Sequence, residues 1–280
     1  MPPKVDLGIA CRETQSHHWW SPLLAETIAL TKSGEACIER ILPVGSAMAD
    51  FNQCLIVKKF LEGGSEWLWM IEDDTTPPKG ALRTLLSHHK PFVSGLYYLG
   101  YSPYSPVAFW RNTPEDFKKN ASHYPGMYRP IRGFERGEIF TVDSVGMGCA
   151  LINRSVFERI QATHTLKMRV RDAAVIPVPN DGIYKSLSGR DDGVHGNCLS
   201  IEVTDPPAGD TRPWPFYAFE LGRTQDHWFN ELAACAGFKP LLDTSLECKH
   251  WKLKAITGAA FRTVSDRLLA GDQEAAREGS

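Results

Sequence analysis

Short apolar runs alternate with amphipathic segments over the first hundred residues. The runs Val5–Ala10, Cys37–Val44, Trp67–Ile71 and Phe92–Tyr98 each have the length and the apolar content of a strand. Short apolar runs bounded by turn residues are typical of strands that are buried on both faces. We therefore predict four strands in this part of the chain, of which the continuous apolar run Trp67–Ile71 fits burial on both faces.

Helical segments separate these runs. The pair Ser21-Pro22 predicts the start of one helix, and Gly34 predicts its end. A second helix is predicted over Ser46–Leu61, and a third one after Pro77-Pro78. Because strands that alternate with helices build parallel sheets, we predict an α/β fold with a mostly parallel central sheet and helices on both faces.

The rest of the chain is less regular. Residues 140–153 are typical of strands, and residues 241–251 predict a further strand. Between these two stretches, Thr224 is placed to cap a helix and Gly237 to end it. The pattern shows no internal repeat and no clean linker, so we predict one domain followed by a short tail.

The composition is that of an ordinary globular protein. The 280 residues carry 31 Lys and Arg, 33 Asp and Glu and nine His, for a formal net charge of −2, which does not favour a nucleic-acid binder. The seven cysteines are odd in number and form no CxxC pair, which favours reduced thiols. No segment has the pattern of a signal peptide or a membrane span, so we expect a cytoplasmic protein.

The stretch WLWMIEDDTTPPKG leads an apolar strand directly into three acids. Glu72, Asp73 and Asp74 follow the predicted strand at its carboxyl end, which is where open α/β sheets bind ligands. Adjacent carboxylates repel one another unless a cation lies between them. Oxygen ligands at such a position suit Mg²⁺ or Mn²⁺ bound to a diphosphate. The alternative is an acidic turn that is exposed to water.

Four segments resemble one enzyme family, the GT-A-fold glycosyltransferases, and in particular its family-2-like members. WLWMIEDDTTPPKGALRTLL resembles the DxD region, with Glu72 in place of the first aspartate. AMADFNQCL resembles a helix that reads ARN in the family, with Asn52 at the asparagine and Phe51 in place of the arginine. SVGMGCALINRSVF and Phe219–His250 resemble its acceptor-side and terminal segments. The resemblance spans most of residues 5–251.

This resemblance implies a GT-A fold and assigns roles to particular residues. Asp74 and His250 would hold a divalent cation, and mixed carboxylate and imidazole ligands favour Mn²⁺ over Mg²⁺. Asp226 would be the general base, and we expect the helix N-terminus beside it to lower its pKa. The alternatives are a surface histidine at 250 and a helix-end acid at 226 that only complements the helix dipole.

Further residues are expected to contact the nucleotide-sugar donor. They are Ala10, Arg12, Ser46, Asn52, Glu72, Asp73 and Gly148. For the polar residues near a helix start, the alternative is a capping role. For Gly148, the alternative is a simple turn.

Together these observations predict a metal-dependent glycosyltransferase that moves a sugar from a UDP- or GDP-sugar to an acceptor hydroxyl. Residues 1–100 would form the nucleotide-sugar-binding half of a domain over 1–262, residues 101–262 the acceptor half, and residues 263–280 a tail. The acceptor is open between a polysaccharide, a protein and a hydroxymethylated DNA base, of which DNA is not favoured. The alternatives are a nucleotidyltransferase of similar fold, although no glycine-rich loop follows the first strand, and a non-catalytic nucleotide- or carbohydrate-binding protein.

Overall fold

The structure is a computed structural model that describes residues 2–11, 17–45, 49–100, 104–112, 128–163, 213–218 and 224–251. The chain divides into two compact units, Met1–His250 and Trp251–Ser280. All elements named below belong to the first unit. The predicted boundary between domain and tail, after residue 262, lies outside the described residues.

The described part of the chain contains twelve strands and five helices. The strands are β1 Lys4–Ala10, β2 Cys37–Val44, β3 Trp67–Glu72, β4 Thr75–Thr76, β5 Phe92–Leu96, β6 Ala108–Arg111, β7 Tyr128–Pro130, β8 Ile139–Thr141, β9 Ser144–Val145, β10 Cys149–Asn153, β11 Leu241–Glu247 and β12 Lys249–His250. The helices are α1 His17–Ser33, α2 Ala49–Leu61, α3 Ala81–Ser87, α4 Arg154–Thr163 and α5 Gln225–Cys235.

Seven of these strands form the central sheet, in the order β2-β1-β3-β10-β5-β11-β8. Five of them point in one direction, whereas β10 and β8 run antiparallel to their neighbours. The sheet is therefore mostly parallel, as predicted. The insertion of β10 between β3 and β5 goes beyond the prediction: Leu151 lies opposite Trp69 on one side and Val93 on the other.

Helices cover both faces of this sheet, which confirms the predicted fold class. On one face α2, α4 and α5 pack over Leu68 and Met70 of β3. On the other face α1 and α3 pack over Trp69 and Ile71 of the same strand. Because successive strand residues point to opposite faces, both of which are buried, the apolar run of β3 has no polar break.

The start of α1 differs from the prediction. The helix begins at His17, so the predicted start at Ser21-Pro22 is wrong. No glycine or proline precedes that pair from residue 17 on, and such a stretch can extend a helix past a local cap signal. The predicted helix ends are confirmed: Gly34 and Gly237 follow α1 and α5 with φ of 73° and 93°, which glycine adopts without strain.

Two further expectations concern membranes and cysteines. Within the described ranges, no helix is long and apolar enough to cross a membrane. The six cysteines in those ranges are free thiols, and four of them are buried: Cys11, Cys54, Cys149 and Cys248. Cys198 lies outside the described residues.

The first turn of α5, which carries Asp226, is anchored on the small sheet β7-β6-β9. Asn230 donates from Nδ2 to the carbonyl oxygen of Val145 at 2.8 Å and accepts the Val145 amide at Oδ1 at 3.3 Å. His227 Nδ1 lies 2.7 Å from the Ser144 hydroxyl. These bonds fix the first two turns of the helix against β9.

The carboxyl end of α2 is held by one arginine from α4. Arg154 donates to four backbone carbonyls, those of Ser65, Phe60 and Gly63 at 2.8 Å and that of Leu61 at 3.1 Å. Its guanidinium also lies 4.6 Å from the centre of the Phe60 ring. The arginine therefore satisfies helix-end carbonyls and adds a positive charge where the helix dipole favours it.

We expect Arg154→Met to lower the free energy of unfolding by about 2–4 kcal/mol, because several carbonyls lose a charged donor at once. Urea denaturation measures this change. Arg159→Met is the matched control: Arg159 lies on the same helix and is exposed, so its loss should change stability by less than about 0.5 kcal/mol. Equal effects of the two variants would contradict the role given to Arg154.

Candidate active site

The carboxyl ends of three parallel strands meet at one edge of the sheet. Ala10 of β1 lies in register with Val44 of β2 and Glu72 of β3. Next to them, the Asp73 amide donates to the carbonyl oxygen of Ala10 at 3.1 Å. One residue further along β1, the Cys11 carbonyl accepts from Asn52 Nδ2 at 3.4 Å.

The structure thus brings Ala10, Asn52, Glu72 and Asp73 together, as the sequence predicts for donor-binding residues. Whether they contact a nucleotide stays a prediction. Arg12 and Ser46 lie outside the described residues, so their predicted contacts remain predictions as well.

The three consecutive acids do not converge on one point. Asp73 is 5% exposed and lies near Cys11, whose thiol pKa is raised by burial and then by the Asp73 charge. Glu72 and Asp74 instead lie near enough to Tyr97 for their charges to affect its hydroxyl. Burial, and then these nearby carboxylates, raise the pKa of Tyr97 well above its usual value. A strand-like alternation of side chains explains this division, with Glu72 and Asp74 on one side and Asp73 on the other.

Asp74 is paired with His250 through two short strands. β4 and β12 are antiparallel, with His250 opposite Thr75. This pairing leaves His250 Nε2 3.4 Å from Asp74 Oδ2, with the imidazole 9% exposed. On its other side, His250 Nδ1 lies 2.5 Å from the carbonyl oxygen of Tyr98. The chain therefore brings the two predicted metal ligands together.

The hydrogen bond to Tyr98 determines what His250 presents to Asp74. A carbonyl only accepts, so Nδ1 carries a proton. In the neutral ring, Nε2 then points a lone pair toward a carboxylate, and the two repel each other. A cation between them removes this repulsion. A histidine that donates one ring N–H to a carbonyl while its other nitrogen faces an acid has the orientation of a metal ligand.

The pair is small for a metal site. Among the residues that the structure describes, no group of three or more His, Cys, Asp or Glu is placed to hold a metal ion. A cation at Asp74 and His250 would take its remaining ligands from a bound molecule or from water. Mg²⁺ is commonly bound in this way, through one or two carboxylates and substrate phosphates. The residues thus fit a divalent cation that binds together with a diphosphate.

Asp226 lies near the same tyrosine, because its charge, like those of Glu72 and Asp74, raises the pKa of Tyr97. Its Oδ1 accepts from Gln53 Nε2 at 3.5 Å, and the backbone amide of Met147 also hydrogen-bonds to its carboxylate. Burial nevertheless raises its pKa to about 7. The expected lowering by the helix N-terminus is therefore wrong, because the loss of hydration outweighs the helix dipole and both hydrogen bonds.

The glycines of the Gly146–Gly148 segment make room for Tyr97. A Cβ at Gly146 would lie 2.0 Å from the Tyr97 hydroxyl oxygen, and a Cβ at Gly148 would lie 2.8 Å from Thr75 Oγ1. The Gly148 amide donates to the Tyr97 hydroxyl at 3.3 Å. The sequence predicts that a donor sugar lies close to Gly148. In the structure, the Tyr97 ring fills the space next to this glycine. A donor contact of Gly148 remains a prediction.

We define a chamber at this edge by Glu72, Asp74, Thr75, Tyr97, the Gly146–Gly148 segment, Asp226, His250, Gln53 and Tyr217. Sequence reasoning did not include Gln53, Thr75, Tyr97 or Tyr217 among the expected site residues. Tyr217 is buried, donates to Met147 Sδ at 3.4 Å, and has a pKa raised by burial and then by Asp226. One signal was available for Gln53, since it is a polar residue at an apolar position of the α2 pattern.

Two buried oxygen atoms of the chamber lack partners. Gln53 Oε1 and Thr75 Oγ1 have no hydrogen-bond partner within the described ranges. Both residues are fully buried. Buried polar atoms are nearly always satisfied, so two exceptions beside Asp226 and Asp74 indicate a place for a ligand or water.

Comparisons with known proteins do not reach the level of a family. No family model and no curated protein matches the chain. Solved structures that match include A197 from STIV, with a TM-score of 0.43 and 13% identity over 90% of this chain and 86% of that one. Another is GalNAc-T7, solved with UDP, GalNAc and Mn²⁺, with a TM-score of 0.39 and 9% identity. That match covers 90% of this chain and 44% of GalNAc-T7. Likenesses this distant carry no argument for a function.

We expect Gly146→Ala to lower the free energy of unfolding by about 1–3 kcal/mol, because its Cβ overlaps the Tyr97 hydroxyl and lies 2.7 Å from Val107 Cγ1. Gly64→Ala is the matched control, since its Cβ would meet nothing within 4 Å. Thermal denaturation compares the two variants. A Gly146 variant as stable as the Gly64 variant would show that the tyrosine does not pack as described.

Asp226 should make stability fall with rising pH. Its pKa is about 7 in the folded protein against 3.8 in its ordinary setting, so between these values the folded state binds more protons than the unfolded state. We expect the wild type to lose about 2–3 kcal/mol relative to Asp226→Asn between pH 5 and pH 8. Urea denaturation at both values tests this, with the exposed Glu158→Gln as control. A parallel pH dependence of wild type and Asp226→Asn would refute the raised pKa.

Proposed function

We propose that the protein is a metal-dependent glycosyltransferase of the GT-A type, which moves a sugar from a UDP- or GDP-sugar to an acceptor hydroxyl. One observation carries this proposal: the Asp74–His250 pair and Asp226 approach the same buried tyrosine from different elements. The His250 ring lies 5.3 Å from the Tyr97 ring, and the charges of Asp226 and Asp74 both act on that residue. A candidate cation site and a candidate base therefore share one chamber.

The donor is proposed to bind at the sheet edge. The carboxyl ends of the strands form the edge at which open α/β sheets bind ligands. Asn52 of α2 bonds to the chain just past β1, and Asp73 directly follows β3. With Ala10 and Glu72, and with Arg12 and Ser46 from the undescribed stretches, they would contact the nucleotide and its ribose. The diphosphate would then lie toward Asp74.

Asp74 and His250 would hold Mn²⁺, or Mg²⁺ in its place. The nitrogen ligand favours Mn²⁺, because imidazole suits transition metals better than Mg²⁺. When bound, the cation would neutralise the negative charge on the departing diphosphate as a Lewis acid. The hydrogen bond from His250 to the Tyr98 carbonyl would keep the ring oriented for this role.

Asp226 would receive the proton of the acceptor hydroxyl. A general base works best when its pKa lies near the working pH, and burial raises the pKa of this carboxyl to about 7. Gln53 and the Met147 amide hold the carboxylate in one orientation. The acceptor remains open between a polysaccharide, a protein and a DNA base. The free thiols of the described cysteines support a reducing, cytoplasmic location.

The test is a thermal-shift panel of UDP, GDP, CDP and TDP, each with Mn²⁺, Mg²⁺ or EDTA. We expect one nucleotide to raise the melting temperature by several degrees with metal only, since ligand at about 100 times Kd adds roughly 2.7 kcal/mol. Asp74→Asn should abolish this shift, whereas the exposed Glu158→Gln should retain it.

A shift of equal size in EDTA, or one that survives in Asp74→Asn, would refute the metal site. Release of free UDP or GDP from the matching nucleotide sugar, with the sugar passing to water or to an added acceptor hydroxyl, then shows that the protein is an enzyme. A protein that binds the nucleotide sugar but releases no nucleotide with any acceptor class supplied is a binding protein.

A further inference from the structure

Gln53 is a polar residue at a fully buried position of α2. It lies on the same helix face as Ile56, Val57 and Phe60, three and more residues further on, and all four are 0% exposed. An apolar side chain is the expected occupant of such a position. The glutamine therefore needs an explanation other than packing.

Its amide bridges two distant parts of the chain. Nε2 donates to Asp226 Oδ1 at 3.5 Å, across 173 positions of sequence. The NH₂ group of the amide faces Asp226, and the carbonyl group faces away from it. That carbonyl oxygen, Oε1, is buried and has no hydrogen-bond partner among the described residues.

The position of Gln53 lies between the proposed nucleotide site and the proposed base. Asn52, one residue earlier, reaches the Cys11 carbonyl at the end of β1. Cys54, one residue later, donates from Sγ to the Tyr217 carbonyl at 3.2 Å. In the proposed function the donor sugar would lie near Gln53, because Gln53 bonds to the proposed base and directly follows a residue proposed to contact the nucleotide.

We propose that Gln53 Oε1 accepts a hydrogen bond from a hydroxyl group of the donor sugar, and that Gln53 thereby distinguishes a nucleotide sugar from the bare nucleotide. This inference rests on the proposed function. An amide carbonyl suits an O–H donor, and its own hydrogen bond is completed only when the sugar is bound. A site with a buried unpaired polar atom discriminates against ligands that lack the matching hydroxyl.

The test compares Gln53→Met with wild type. Methionine has a similar length and no polar group that forms strong hydrogen bonds, so it removes the carbonyl with little change in packing. Lys59→Met on the same helix is the control, because Lys59 is exposed near the last turn. Calorimetric titration with UDP and with UDP-glucose, both with Mn²⁺, gives the affinities; GDP and GDP-mannose replace them if guanine is the preferred base.

We expect Gln53→Met to bind the bare nucleotide within about twofold of wild type and the nucleotide sugar about tenfold more weakly, the effect of one lost hydrogen bond. Equal losses for both ligands, or no loss for either, would overturn the inference. A wild type that binds neither ligand would instead refute the proposed function, and this inference with it.

Discussion

The antiparallel strand β10 determines where the candidate site is built. It fills the gap between β3 and β5, with Cys149 opposite Ile71 near the carboxyl end of β3 and Asn153 opposite Trp67 at its start. Because β10 runs against its neighbours, the chain that enters it arrives at the edge of the sheet where β3 ends, beside the candidate site. That entering chain is the Gly146–Gly148 segment, which surrounds Tyr97. The chain that leaves it begins with Arg154, which holds the carboxyl end of α2.

The chamber at this edge collects negative charge in a poorly hydrated place. Carboxylates from β3 and α5 act on one buried tyrosine, and burial already shifts Asp226 toward its protonated form. Such an arrangement costs free energy unless a cation or a proton balances the charge. In the proposed function, the Asp74–His250 pair would hold that cation, and a pKa of about 7 allows Asp226 to exchange a proton near neutrality. A bound metal-nucleotide would then offset the unfavourable charge of the clustered carboxylates.

Local signals in the sequence were sufficient for elements whose ends are set by nearby residues. Gly34 and Gly237 end their helices with a positive φ, and Thr224 caps α5 by accepting the amide of His227. The apolar run of β3 and the acids that follow it also indicated the ligand-binding edge. The bridging of distant segments was not predictable in this way, because no local pattern records which strand lies beside β3. The division of the three acids, the pairing of Gln53 with Asp226 and the raised pKa of Asp226 all follow from such distant contacts.

The predicted nucleotide-binding and acceptor halves, residues 1–100 and 101–262, share one sheet and one core. β3 and β5 belong to the first half but do not pair with each other, because β10 of the second half lies between them. The first hundred residues alone would leave β3 and β5 each with an unpaired edge, and unpaired edges favour association with other chains. Within the described residues, the two predicted halves are therefore not separate structural units. The chamber is built from contacts of high sequence separation, such as β3 with β10 and Gln53 with Asp226, so it depends on the whole first unit.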